Sequence, residues 1–117
     1  MPNVIFENVS PLAARKCKAC EGEAGKLSEQ QINLLLGDAP GWQRSDSNIV
    51  RTFKFKNYFE TLAFVNALAW ISHREDHHPD LEVGYNTCRV RYSTHSVGGL
   101  SENDFICAAK LETLLAL

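Results

Sequence analysis

The four histidines of this 117-residue chain all lie between positions 73 and 95, as His73, His77, His78 and His95. After His77-His78-Pro79, the residues Leu81, Val83 and Tyr85 alternate with polar neighbours, as do Cys88, Val90 and Tyr92, which predicts a β-hairpin. With Asn86-Thr87 as its two loop residues, Tyr85 faces Cys88, Val83 faces Val90, and Leu81 faces Tyr92. Continued, that ladder sets Pro79 opposite Thr94 and His78 opposite His95. Directly opposed residues hold their Cβ atoms roughly 5 Å apart, so the two histidine segments should converge. A loop of odd length would shift the register by one and favour His77 instead.

Two imidazoles at one site suit proton transfer near neutral pH, because one can be protonated while the other is a free base. Asp76, Ser93, Thr94 and Asp104 are hydrogen-bonding groups within reach of the same region. No activated-serine motif, glycine-rich phosphate loop or Walker pattern is present. The inventory points to proton shuffling on a small polar substrate. A metal site is the rival reading: His73 and His77 stand at i,i+4, with Glu75, Asp76 and Asp80 as oxygen donors.

The elements that would carry these residues are marked by caps. Ser28-Glu29-Gln30-Gln31 fits a capping box, opening a short helix through Leu34, Leu35 and Leu36 that should end at a left-handed Gly37. Trp42 to Arg44 and Ile49 to Phe55 flank Ser45-Asp46-Ser47-Asn48 as a first hairpin, with Ile49, Phe53 and Phe55 on one face. Asn57 caps the longest helix, which runs to about Arg74 or Glu75 and must be finished before His78, since Pro79 disfavours helical geometry there. A last helix starts at Ser101-Glu102-Asn103-Asp104, with Phe105, Ala108, Leu111 and Leu115 inward and Asp104 as the N3 cap residue. The order helix, hairpin, helix, hairpin, helix predicts an α+β fold: an antiparallel four-stranded sheet of two hairpins with three helices packed on one face.

On the long helix, Phe59, Leu62, Phe64, Val65, Leu68, Trp70 and Ile71 spread wider than one sheet can cover. A second protein surface should cover the rest, which predicts a homo-oligomer, dimer or tetramer, built on this helix and a sheet edge. Residues 1–26 read as an irregular lead-in and 27–117 as the domain. A formal charge of -2 without a basic stripe argues against nucleic acid as a partner. The longest apolar stretch, Leu62 to Ile71, is about half the ~20 residues that cross a bilayer, so no membrane role is expected. Without a secretory signal at Met1 to Ser10, the expected location is cytoplasmic and the cysteines are expected to be reduced. Cys17-x-x-Cys20 is half a zinc-ribbon pattern without a second half and reads as a pair of reduced thiols. Cys88 and Cys107 read as core thiols, and Trp42 and Trp70 as packing residues.

Taken together, His73-x3-His77-His78-Pro79, Tyr85-Asn86, Ser93-Thr94-His95 and Gly99-Leu100-Ser101-Glu102-x-Asp104 resemble the pterin-4a-carbinolamine dehydratase family. The likeness extends upstream to Gly41-Trp42 and Phe53-x-Phe55-Lys56 and covers about Leu27 to Leu115. The resemblance implies a hydro-lyase that removes water from 4a-hydroxytetrahydropterin, the product of aromatic amino-acid hydroxylases, to give quinonoid dihydropterin in tetrahydrobiopterin recycling. It implies no metal or cofactor, pterin being the substrate, and a functional link to such a hydroxylase. By the same resemblance His77, His78 and His95 are catalytic, and His73, Asp76, Ser93, Thr94 and Asp104 surround the pterin. Many members carry Glu where this chain has His73, which changes the charge beside the ring. The family also supplies a second reading, a non-enzymatic interaction module, since animal relatives also act as dimerisation cofactors for a homeodomain transcription factor through the same long helix. A pure scaffold has no need of the histidine set.

Overall fold

The structure, a computed structural model, describes residues 11–19 and 25–115. Ser28 opens α1 (Glu29–Gly37) with the expected capping box: its hydroxyl accepts from the Gln31 N–H, and the Gln31 side chain accepts from the Ser28 N–H. The end of α1 differs from expectation. Gly37 is not left-handed; Asp38 closes the helix at φ -94°, and i→i+3 bonds from Asp38 and Ala39 to the Leu35 and Leu36 carbonyls satisfy the last turn.

The first hairpin is tighter than expected. Strands β1 (Gln43–Ser45) and β2 (Asn48–Lys54) meet at Ser45↔Asn48, so Asp46-Ser47 alone make the turn, with Asp46 left-handed at φ 55°. Asn57 caps α2 (Tyr58–Glu75) by accepting from the Glu60 N–H at 2.9 Å. Strands β3 (Asp80–Val83) and β4 (Thr87–Tyr92) follow, then a single 3-10 turn (His95–Val97) and α3 (Glu102–Leu115). The sheet is antiparallel throughout, in the order β1-β2-β4-β3.

The second hairpin departs from its expected register by two residues. Val83 pairs with Cys88 and Leu81 with Val90, leaving Tyr85-Asn86 as the loop. An even shift keeps every side chain on its own face, so alternation could not tell the two registers apart. Outside contacts decide between them. The Gly84 N–H donates to the Thr87 carbonyl, the Thr61 hydroxyl on α2 donates to the Tyr85 carbonyl, and the Phe55 N–H donates to the Asn86 carbonyl. Tyr85 also stacks on Tyr58 at 6.4 Å. His78 therefore does not stand opposite His95; along the observed ladder His77 comes level with Thr94.

Ile49, Phe53, Cys88, Val90 and Tyr92 form the inner sheet face and are buried against Ile32, Phe64, Leu68, Phe105, Ala108 and Leu111 of the helices. Thr52, Lys54 and Glu82 line the outer face in water. Full burial of Phe105 makes Phe105→Ala cost about 3–5 kcal/mol. Leu115, expected inward, is 47% exposed at the end of α3. Trp42 packs as expected, edge-on to Phe53 and donating its indole N–H to Glu112. Trp70 does not: it is 62% exposed, with the Arg74 guanidinium beside its ring.

Residues 11–19 form no helix or strand, yet they are docked. Leu12 and Ala13 are buried in the core, Lys110 donates to the Ala13 carbonyl, and the Cys17 N–H donates to Glu75 at 2.8 Å.

Candidate active site

Three turns converge on one buried carboxylate. Asp76 leaves α2 in the left-handed conformation (φ 50°, ψ 46°), its N–H donating to the last carbonyls of the helix. That reversal brings His77 back beside the sheet, its N–H on the Ser72 carbonyl at 3.2 Å. Past β4, Thr94 pairs with Gly99 across the 3-10 turn, which Gly98 closes at φ 69°, a conformation that glycine adopts without a steric cost. Ser101 then leads into α3, whose third residue is Asp104.

Asp104 is fully buried, and both of its oxygens are used. Oδ1 lies 2.6 Å from His77 Nε2, while Oδ2 accepts from the Thr94 hydroxyl at 2.8 Å and the Ser101 N–H at 3.0 Å. The last of these is the reach-back half of the expected cap. Since the single Thr94 hydrogen goes to Asp104, the Ser101 hydroxyl, 2.7 Å away, donates to Thr94. A carboxylate only accepts, so His77 is the donor of this pair, through Nε2. The ring is held flat as well: it stacks on Tyr92 at 5.7 Å and 7°, leaving the side chain 11% exposed.

Tyr92 is fully buried, and burial, reinforced by Cys107, pushes its phenol well above the usual range against a lowering contact from Ser72. Neither the Tyr92 nor the Ser72 hydroxyl completes a well-aligned hydrogen bond among the described residues.

The structure thus joins three of the eight expected site residues, His77, Thr94 and Asp104, in one network. His73, Asp76, His78 and His95 are exposed and Ser93 is half-buried. No hydrogen bond or ion pair among the described residues ties the His73, His78 or His95 side chains to the network. His78 and His95 are nonetheless each the chain neighbour of an anchored residue, His77 and Thr94, so their Cα atoms stand about 3.8 Å from fixed points. The alternative metal donors His73, Glu75, Asp76, His77 and Asp80 do not converge, because His77 turns to Asp104; among the described residues no three His, Cys, Asp or Glu side chains gather to hold an ion. Two members of the network were not foreseen as site residues. Tyr92 looked like an ordinary inward strand residue, whereas Ser101 was visible as the start of a cap.

A model of the family described as pterin 4 alpha carbinolamine dehydratase matches residues 25–114, which contain every residue of this network. The chain belongs to that family. It is 62% identical over 109 residues to a protein of Nitrosomonas eutropha named "Putative pterin-4-alpha-carbinolamine dehydratase", covering 92% of this chain and 96% of the relative. Among solved structures, a transcriptional coactivator/pterin dehydratase from Brucella melitensis superposes with a TM-score of 0.74 at 33% identity, covering 76% of this chain and 97% of the other. A pterin dehydratase-like protein identified as a RuBisCO assembly factor in the alpha-carboxysome superposes less closely, with a TM-score of 0.52 at 26% identity over 62% of this chain and 84% of the other. As for membranes, no helix among the described residues is long and apolar enough to cross one.

Proposed function

We propose that the chain dehydrates 4a-hydroxytetrahydropterin to quinonoid dihydropterin by histidine acid–base catalysis, in tetrahydrobiopterin recycling. The observation that carries this reading is the His77–Asp104 pair at 2.6 Å, inside the segment matched by the family. Loss of water needs a proton delivered to the departing 4a-hydroxyl and another taken from a ring nitrogen. His77, bonded to a buried carboxylate and stacked on Tyr92, is built to keep one orientation. His78 and His95, open to solvent, are placed to exchange protons with the substrate and with water. His73, Asp76 and Ser93 supply polar contacts to the pterin. Thr94 and Asp104 have their polar atoms turned to one another, so in this account they position His77 rather than touch the ring.

The proposed reaction draws on no metal or organic cofactor, and the protein works in the cytoplasm beside an aromatic amino-acid hydroxylase that makes the substrate. Following the decay of 4a-hydroxytetrahydropterin with and without a chelator tests this. Acceleration that survives chelation is expected; no acceleration over buffer would sink the enzymatic reading, and loss of rate on chelation would point to a metal.

A second reading, a non-enzymatic interaction module, draws on the exposed face of α2, where Phe59 is 81% and Trp70 62% exposed. We infer that a second copy of the chain covers this face, which is compatible with catalysis. Light scattering at micromolar concentration is expected to show a dimer or tetramer; a clean monomer would contradict it.

A further inference from the structure

We propose that Cys17 and Cys107 are a redox-active thiol pair, forming a disulfide that clamps the segment 11–19 behind the His77–Asp104 pair. Their Sγ atoms lie 3.5 Å apart, although 90 positions separate them in the chain. A disulfide needs about 2 Å between sulfurs, so the two must close by roughly 1.5 Å. Residues 11–19 have no helix or strand to resist that movement.

The two thiols differ in access. Cys17 is half-buried and reachable from solvent; Cys107 is completely buried. The Cys107 thiol is held protonated far above its ordinary range, first by its hydrogen bond to Cys17 and then by burial. Oxidant therefore meets Cys17 first, and Cys107 resolves.

With a peroxide as the oxidant, the Cys17 thiolate attacks one peroxide oxygen, the O–O bond breaks, and a sulfenic acid forms as water leaves. The Cys107 sulfur then attacks the Cys17 sulfur, the S–O bond breaks, and the hydroxyl departs as a second water with the Cys107 proton. Two thiols lose two electrons, and one hydrogen peroxide becomes two waters.

The position gives the bond a consequence. The Cys17 N–H donates to Glu75, two residues before His77, and Cys107 sits three residues after Asp104 on α3. The Lys18 N–H donates to Asn103, the neighbour of Asp104, at 3.0 Å. A Cys17–Cys107 bond would fix segment 11–19, which hydrogen-bonds the end of α2 through Glu75, to the first half of α3, and these two helices hold the buried pair. Cys17 lies outside the segment matched by the family, so family membership assigns it nothing.

The test is to oxidise the reduced full-length chain with stoichiometric hydrogen peroxide and map a non-reduced digest by mass spectrometry. Expected are a Cys17–Cys107 peptide, loss of two of the four thiols, and a Tm rise on the order of 10 °C that dithiothreitol reverses. Cys20→Ser should leave these results intact, and Cys17→Ser should abolish them. A Cys17–Cys20 bond, chain-to-chain dimers through Cys17, an over-oxidised Cys17 without a cross-link, or an unchanged Tm would each overturn the proposal.

Discussion

The histidines divide into two environments that differ in almost every physical respect. His77 is nearly buried, stacked on Tyr92 and bonded to a carboxylate with no solvent access; His73, His78 and His95 stand in water with no such partner among the described residues. The same side chain thus serves two ends. An imidazole locked by packing and a buried acceptor keeps its orientation, and its loss disturbs the fold around it. An exposed imidazole contributes almost nothing to stability and is free to trade protons.

That contrast is most sharply tested by separating rate from stability. His78→Ala and His95→Ala should each slow dehydration by roughly a hundred- to ten-thousand-fold, yet shift the unfolding free energy by no more than about 0.5 kcal/mol. Both are read by pairing the dehydration assay with urea titration. Either variant at full rate would remove that residue from the chemistry.

Asp104→Ala should do the reverse in proportion. It strands the Ser101 N–H, the Thr94 hydroxyl and His77 Nε2, and should cost about 3 kcal/mol or more in urea midpoint terms. A loss below about 1 kcal/mol would mean that the network does not hold the site together.

A smaller effect is expected at high pH. The Cys88 and Cys107 thiols and the Tyr92 phenol are all raised above their ordinary values of 9.0 and 10.0 and stay neutral when folded. The unfolded chain ionises them first, so their contribution is fully present below about pH 9 and is lost as pH rises further. The urea midpoint should fall as pH rises from about 9 to 10.5, and a flat midpoint would contradict it.

The smallest change should come from Tyr92→Phe. It keeps the stack beneath His77 while removing a buried hydroxyl that lacks a well-aligned partner, so stability should stay the same or rise by up to about 1 kcal/mol. A clear loss of stability would show that the hydroxyl is satisfied after all.

Much of this arrangement was legible in the chain, for reasons that individual residues make plain. Ser28-x-x-Gln31, Asn57 and Ser101-x-x-Asp104 mark the starts of the three α-helices among the described residues because capping chemistry is local. Alternation assigned Leu81, Cys88 and Val90 to the inner face correctly. Alternation is blind to an even slip, however, and the true turn at Tyr85-Asn86 is chosen by Thr61 and Phe55, which are remote in sequence. For the same reason the convergence of His78 with His95 was misplaced, and the anchored pairing falls to His77 through Asp104. The docking of residues 11–19 was out of reach, since it rests on single contacts from Leu12, Ala13 and Cys17 without any periodic signal.

The central claim is that exposed histidines do the chemistry around a buried one. It is tested most directly by the initial rate of 4a-hydroxytetrahydropterin dehydration for the unaltered chain beside His78→Ala/His95→Ala, at equal folded fraction. Clear acceleration by the first and at least a ~hundredfold loss in the second are expected. An unaltered chain no faster than buffer, or a double variant as fast as the unaltered chain, would contradict it.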